Sequence, residues 1–387
     1  MKNLFATLIL LLLIFFYFFD AAIFRGFWIT GDLGYSDLTD LNWPIKAFLS
    51  SSIRCGNLPL WTKDMLCGIP LLAEGEGGFF YPLNLILFLF AKPFFAYNLS
   101  ILLTFFLTGL FTFLFCTSIR LSFFSCLFAA ISFIFSGFFI CHLKHPSMIM
   151  VASLFPFLFY LTERFIKEQR PIFCILAGII LSFQVFAGHP QIMVYTNLAL
   201  GIYFVFRLGF LPKEKKKKVH WRALSLLYFL PVMAAIGAGL SAIQLFPTME
   251  LLEQSGRKLG GAIHELARFP FHPAELVRFI LPYFYGDPYL ANHKTPWDGL
   301  FWENTAYIGL IPLILAGFAL SKIRKNSYIL IFAIITLFSL LLSFGKYSPL
   351  FFLLKLPPLS SYRFPNRFLL ITSFSLAILA AFGMEWF

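Results

Sequence analysis

The sequence predicts an all-α, polytopic integral membrane protein, and three observations carry that prediction. The 387-residue chain is 59% hydrophobic and only 12% charged. Its mean hydropathy of +0.82 exceeds what a soluble domain with a polar surface shows. Apolar runs of about 20 residues, enough to cross a hydrocarbon core of roughly 30 Å, recur along almost the entire length. These are continuous blocks, not the alternating short segments of a barrel.

Taken in order, the opening run from Leu4 to Phe19 is rich in Phe and lacks a small-residue cleavage site. It therefore reads as a retained anchor and first span, not a signal peptide. Spans are expected at 4–24, 97–116, 122–140, 148–162, 172–187, 191–207, 223–246, 303–320, 327–344 and 367–387, about ten in all. They form a single domain, 1–387, interrupted by polar stretches at 25–96, 247–302 and 345–366. Within the first stretch, Cys67 to Pro82 mixes glycines, carboxylates and aromatics, which suits a short interfacial or re-entrant helix. Cys55 and Cys67 share that stretch and could pair there, whereas Cys116, Cys126 and Cys174 lie in apolar runs as small hydrophobes.

Charge sets the expected orientation. With the N-terminus cytoplasmic, Arg120, the stretch 163–171, the stretch 207–222 with Lys215 to Lys218, and the stretch 321–326 all fall on the cytoplasmic side. Every dense Lys/Arg cluster then obeys the positive-inside rule. The net charge of +12 is on this reading a topogenic feature beside membrane lipid. No nucleic acid is required, because no aromatic-basic binding module accompanies the lysines. The three long polar stretches share the opposite, extracytoplasmic face, as do the short turns at 141–147 and 188–191.

Candidate chemistry concentrates on that face. Six of the eighteen acidic residues lie between Gly31 and Pro82, and carboxylates gathered beside a membrane are functional candidates by default. Asp32, Asp37 and Asp40 lead. If Ser36 or Asp37 caps a helix running through Asp40 toward Leu49 and Ser50, Asp37 and Asp40 project one turn apart. Two such carboxylates could share a proton, bind a divalent cation such as Mg or Mn, or divide into a base and its orienting partner. Glu74 and Glu76 are secondary candidates. His142, Lys144 and His145 occupy one turn, and His189 and Gln191 another; His189 is expected to hydrogen-bond a substrate, while His142 and His145 read equally well as helix-end residues. Gln244 sits where the seventh span should still be apolar and requires a partner or a polar cavity, with Glu250 beyond it. Arg257, Arg363 and Arg367 offer planar guanidinium forks that match phosphate oxygens. Glu303 opens the eighth span, either as a charge complementing the helix dipole or as a site carboxylate.

The series of short motifs resembles the YfhO family of bacterial membrane proteins, whose architecture is similar to that of GT-C glycosyltransferases. The residues that carry the resemblance are Asp37 with Pro44, Gly56-Asn57-Leu58-Pro59-Leu60-Trp61, Gly68-Ile69-Pro70, Phe80-Tyr81-Pro82, Gly188-His189-Pro190-Gln191, Gln244-Leu245-Phe246-Pro247-Thr248-Met249-Glu250, Glu303 with Tyr307-Ile308-Gly309, and Arg363-Phe364-Pro365-Asn366-Arg367. They occur in the family's order over nearly the whole chain.

The resemblance implies a multi-pass protein of the bacterial cytoplasmic membrane that moves a sugar from a polyprenyl-phosphate-linked donor to a cell-envelope glycan or lipid acceptor. Transfer would occur on the extracytoplasmic face. It implies Asp37 as general base, supported by Asp40, and an arginine, Arg257, Arg363 or Arg367, on the departing lipid phosphate. Where the family pattern leads one to expect Gln after the first-stretch aspartate, this chain has Leu41 and Asn42, so both Asp37 and Asp40 stay candidates. Family members are longer, and the chain stops inside an apolar run at Phe387, so a longer parent chain is expected. The alternative is a non-catalytic transporter or flippase of lipid-linked sugars. That function calls for polar residues at mid-membrane depth in several spans, and here Gln184 and Gln244 are the main ones.

Overall fold

The computed structural model describes residues 2–23, 26, 36–65, 67–210, 219–255, 268–290, 292–297 and 299–387. Among them every regular element is helical, apart from one isolated bridge between Thr62 and Ile69. Five helical stretches are long and apolar enough to cross a membrane: Pro93–Ser118, Phe123–Cys141, Pro146–Glu168, Pro190–Gly209 and Pro365–Trp386. A sixth crossing is formed if Tyr228–Leu240 and Ala242–Gln254, bent by 81° at Ser241, count as one broken span. Shorter apolar helices cover Leu4–Tyr17, Ile172–Phe186, Leu310–Leu320 and Ser327–Ser343. The chain is therefore a multi-pass helical membrane protein.

For reference, α1 is Lys2–Tyr17, α2 Trp43–Arg54, α3 Pro82–Phe90, α4 Pro93–Ser118, α5 Phe123–Ile134, α6 Pro146–Glu168, α7 Ile172–Phe186 and α8 Pro190–Gly209. After these come α9 Val219–Leu240, α10 Ala242–Gln254, α11 Leu310–Leu320, α12 Ser327–Ser343 and α13 Leu369–Trp386. Helices α6 and α13 form the most buried part of the bundle. Helix α6 packs on α4, α7 and α8, while α13 packs on α5, α11 and α12. Lipid tails offer no hydrophobic drive for helices to associate, so close packing has to do it. Phenylalanine supplies that packing. Phe374 on α13 meets the rings of Phe115, Phe133, Phe155, Phe159 and Phe332 at centroid distances of 4.7 to 6.1 Å.

Polar groups inside the helices satisfy themselves locally. Thr104, Thr108 and Thr112 on α4 each donate to the carbonyl four residues back at 2.7 Å, so none of these three hydroxyls is left unpaired. At one end of the bundle, buried Glu163 on α6 accepts from Arg207 and Tyr203 on α8 and from Tyr328 on α12. These contacts clamp three helices at the end opposite the site described below.

Two boundaries and one possible cysteine pairing differ from the sequence expectation. The span expected at 223–246 is broken at Ser241, and its outer half runs through Pro247 to Gln254. Proline six residues into a helix lacks an N–H that an interior position would use, yet α10 continues because Gln244 and Thr248 tie it to the first polar stretch. The span expected to open at 303 instead begins at Leu310, after Gly309 at φ +99°. Its first seven expected residues are non-helical because Glu303, Asn304 and Thr305 are buried in side-chain hydrogen bonds. Cys55 and Cys67 are both free and exposed.

Candidate functional site

Five helix ends and three connecting segments meet at one end of the bundle. The turn between α5 and α6 carries His142 and His145, the turn between α7 and α8 carries His189, and the segment entering α13 carries Arg363 and Arg367. Two of these entries share a His-Pro pair. Proline at the first helical position of α6 and α8 fixes φ and needs no donor there, which leaves His145 and His189 at the N-cap. His189 Nδ1 accepts from the Ile192 amide at 3.3 Å, a true cap.

The segment before α2 reaches this end as the sequence suggested. Ser36 Oγ accepts from the Leu38 amide at 3.4 Å, and Asp40 Oδ2 accepts from the Ser36 amide at 3.1 Å. Asp40 is thereby used locally to start the helix. Asp37 makes no cap bond and instead accepts from His145 Nε2 at 2.9 Å. Asn42 secures the approach by donating to the Lys144 carbonyl at 2.9 Å and the Asp37 carbonyl at 3.0 Å. Lys144 Nζ lies 3.2 Å from the centre of the Trp302 ring, which joins the histidine turn to the Glu303 segment.

Glu303 is the hub of the second half. Arg367 donates to it through Nε at 3.0 and 3.1 Å and through Nη2 at 2.6 Å. Arg367 Nη1 also donates to Gln191 Oε1 at 2.8 Å and lies 3.4 Å from His189 Nε2. Gln191 Nε2 donates to the carbonyls of Arg363 and Phe364 and to Tyr195. Burial raises the Glu303 carboxyl, but Arg367 and then His142 outweigh it and hold the group well below the usual carboxylate range. His142 Nδ1 donates to the Phe138 carbonyl at 2.8 Å, leaving Nε2 3.4 Å from Glu303. Burial lowers the pKa of this imidazole although Glu303 opposes the shift. His189 is lowered further, by burial and then by Arg367, both of which disfavour the imidazolium.

The Glu74–Glu76 turn closes against the same end. Gly188 at φ +89° lets the α7–α8 turn approach so closely that a Cβ there would lie 2.2 Å from the Gly75 carbonyl oxygen. Ser147 at the start of α6 donates to Glu76 at 3.2 Å. Lys46 on α2 is 1% exposed beneath this turn and donates to the Gly77 carbonyl at 2.6 Å. Burial brings its ammonium down to about 8, against Glu76 and Glu74, which raise it. Burial, then Glu76, pushes Glu74 up to about 7. Burial thus draws both the Glu74 carboxyl in this turn and the Lys46 amine beneath it toward neutrality.

The other expected residues are placed apart from this cluster or are otherwise employed. Gln244 is buried and donates to the Leu72 carbonyl at 2.7 Å and to Thr248 at 3.0 Å, so its amide fixes α10 to the first polar stretch. Glu250 is exposed on α10. Arg363 is exposed, its guanidinium over the Phe364 ring. Asp32 and Arg257 lie outside the described residues. Asp37 and Asp40 turn to different partners, His145 and the Ser36 amide. Among the described residues no group of three or more His, Cys, Asp or Glu side chains is gathered as for a metal ion.

Sequence reasoning passed over Lys46, one cation in an ordinary amphipathic helix, whose burial is decided by a turn thirty residues later. It also passed over Glu275 and Arg278, a buried pair at 2.9 Å. Glu275 accepts from Asn304 at 2.8 Å, and Asn304 in turn accepts from Asn366 at 2.7 Å, which braces the segments carrying Glu303 and Arg367. A comparison of the chain with models of known protein families and with curated proteins finds no match.

Proposed function

We propose that the chain is a GT-C-type membrane glycosyltransferase akin to the YfhO family, transferring a sugar from a polyprenyl-phosphate donor to a cell-envelope acceptor. One observation carries the reading. The first polar segment delivers a carboxylate, Asp37, onto a histidine that adjoins a buried Glu303–Arg367–His142 cluster at one end of a membrane bundle. In this reading that end is extracytoplasmic, the N-terminus is cytoplasmic, and about ten helices span the bacterial cytoplasmic membrane, the shorter ones included. The Asp37–His145 pair supplies the base for the acceptor hydroxyl. Arg363, exposed on the segment that carries Arg367, takes the departing lipid phosphate.

A second reading, a flippase of lipid-linked sugars, draws on the 81° break between α9 and α10, since broken helices are a common feature of transporter sites. Its weakness is that Gln244, the polar residue near the break, is spent on a backbone carbonyl. Deleting the gene separates the two. The transferase predicts accumulation of a polyprenyl-phosphate sugar accessible from outside, which wild type clears and Asp37→Asn does not. A flippase predicts accumulation of the same lipid on the cytoplasmic side. Full clearance by both the Asp37→Asn and Asp40→Asn variants would falsify the catalytic-segment reading.

A further inference from the structure

His145 Nε2 faces the Asp37 carboxylate at 2.9 Å. An ionised carboxylate only accepts, so the ring carries its proton on Nε2. The other nitrogen, Nδ1, is buried and meets no hydrogen-bonding partner among the described residues. A proton there would be a buried donor with nothing to receive it, so Nδ1 presents a bare lone pair. Buried polar atoms in folded proteins are nearly always paired, and an exception calls for an explanation. The neighbouring groups do not provide one. Asn42 is spent on the Lys144 and Asp37 carbonyls, Ser147 on Glu76, and Glu303 on Arg367. Among the described residues, the charged and titratable groups around the ring include Asp37, the adjoining Lys144, His142 with its ring centre 5.7 Å away, His189, and Glu303 with Arg367 behind His142.

We propose that His145 is the proton acceptor of the transfer, through Nδ1, and that Asp37 is a positioning residue that holds the imidazole in the Nε2–H tautomer. The inference rests on the glycosyltransferase reading and reassigns the base within it. As the acceptor oxygen forms its bond to the anomeric carbon, the hydroxyl proton passes to Nδ1. The bond from that carbon to the phosphate oxygen breaks, and the polyprenyl phosphate leaves with the electron pair. The imidazolium shares its charge with Asp37 and then returns the proton to water, so atoms and charge balance. A hydroxyl seated on Nδ1 also supplies the missing partner.

The test uses the purified full chain, a panel of 14C-labelled polyprenyl-phosphate hexoses (glucose, mannose and galactose), and acceptor from membranes of the deletion strain. His145→Gln is expected to lower kcat by about 10²–10⁴-fold, the usual worth of a positioned base, with little change in donor KM. Its residual rate should lack the acid-side fall of kcat with pH, and added imidazole should partly restore His145→Ala. Asp37→Asn should lose less than His145→Gln, shift that acid limb without removing it, and add nothing to the loss in the double variant. Overturning results are a His145→Gln rate within about threefold of wild type, or a larger loss in Asp37→Asn with the wild-type acid limb intact in His145→Gln. Either would leave the transferase standing with Asp37 as base. Absence of transfer by wild type from every donor would overturn the transferase and this inference together.

Discussion

Glu303 and Arg367 give the sharpest energetic prediction. The pair makes three contacts between 2.6 and 3.1 Å, with the carboxylate 2% and the guanidinium 13% exposed. Removing one partner strands a charge in a low-dielectric interior, which costs about 3–5 kcal/mol, whereas replacing both by apolar groups of similar size is near neutral. Arg367→Met should fall at the low end, because His142 Nε2 lies 3.4 Å from Glu303 and can take up a proton to compensate. Glu303→Gln leaves Arg367 beside His142 and His189 with no anion and should fall higher. The double variant should return to within about 1 kcal/mol of wild type, which against single losses of about 3–5 kcal/mol is a coupling of at least about 5 kcal/mol.

Denaturant titration in detergent micelles can follow this through the thiols. Cys116, Cys126 and Cys174 are buried and become reactive on unfolding, against a constant background from exposed Cys55 and Cys67. The pH arm has a fixed sign. Glu303 is depressed in the folded state, so its contribution is complete above the ordinary carboxylate range and declines as pH falls toward its lowered value. Glu303→Gln should lose that acid-side slope. Single variants within about 0.5 kcal/mol of wild type, or strictly additive losses in the double variant, would refute the reasoning.

Other outcomes follow from single placements. Lys46 is held near 8, so wild-type stability should rise as pH climbs from 8 toward the ordinary value near 10.4, by about 3 kcal/mol at most; Lys46→Met should abolish that rise, and a rise of the same size in the variant would exclude Lys46 as its source. Gly188→Ala should cost at least about 2 kcal/mol, since the new Cβ would lie 2.2 Å from the Gly75 oxygen at a φ of +89°; unchanged stability would show that the two turns do not touch. In intact cells a membrane-impermeant maleimide should label native Cys55 and Cys67 but reach an introduced Arg170→Cys only after permeabilisation, and the reverse pattern would invert the proposed topology.

The helices were legible because apolar runs long enough to span leave few alternatives. Each of the ten expected runs contains or overlaps a helix. Their ends were less so, for reasons visible at Ser241 and Gly309. A helix that bends at a serine and continues through Pro247 depends on Leu72 and Ala73 offering carbonyls to Gln244 and Thr248, and no local pattern encodes that. Glu303 looked like a helix-start charge, yet its position is decided by Arg367 sixty-four residues later. In the site, composition alone gathered the acids of the first stretch and the His and Arg motifs. It could not foresee that Asp37 meets His145, 108 residues away, while Asp40 turns back on the Ser36 amide. A lone amide in an apolar run, Gln244, announced that a partner exists without naming it.

The proposed function requires that covalent transfer of a sugar take place at the Asp37–His145 end of the bundle. The most direct measurement places the full chain in sealed vesicles with a polyprenyl-phosphate [14C]hexose, with acceptor membrane extract supplied on one side. Label is expected to leave the lipid and appear in the acceptor only when acceptor meets the face carrying Cys67, and the Asp37→Asn, His145→Gln double variant should stop it. Intact labelled lipid crossing the bilayer with its sugar still attached, at equal rates in wild type and the double variant, would contradict it.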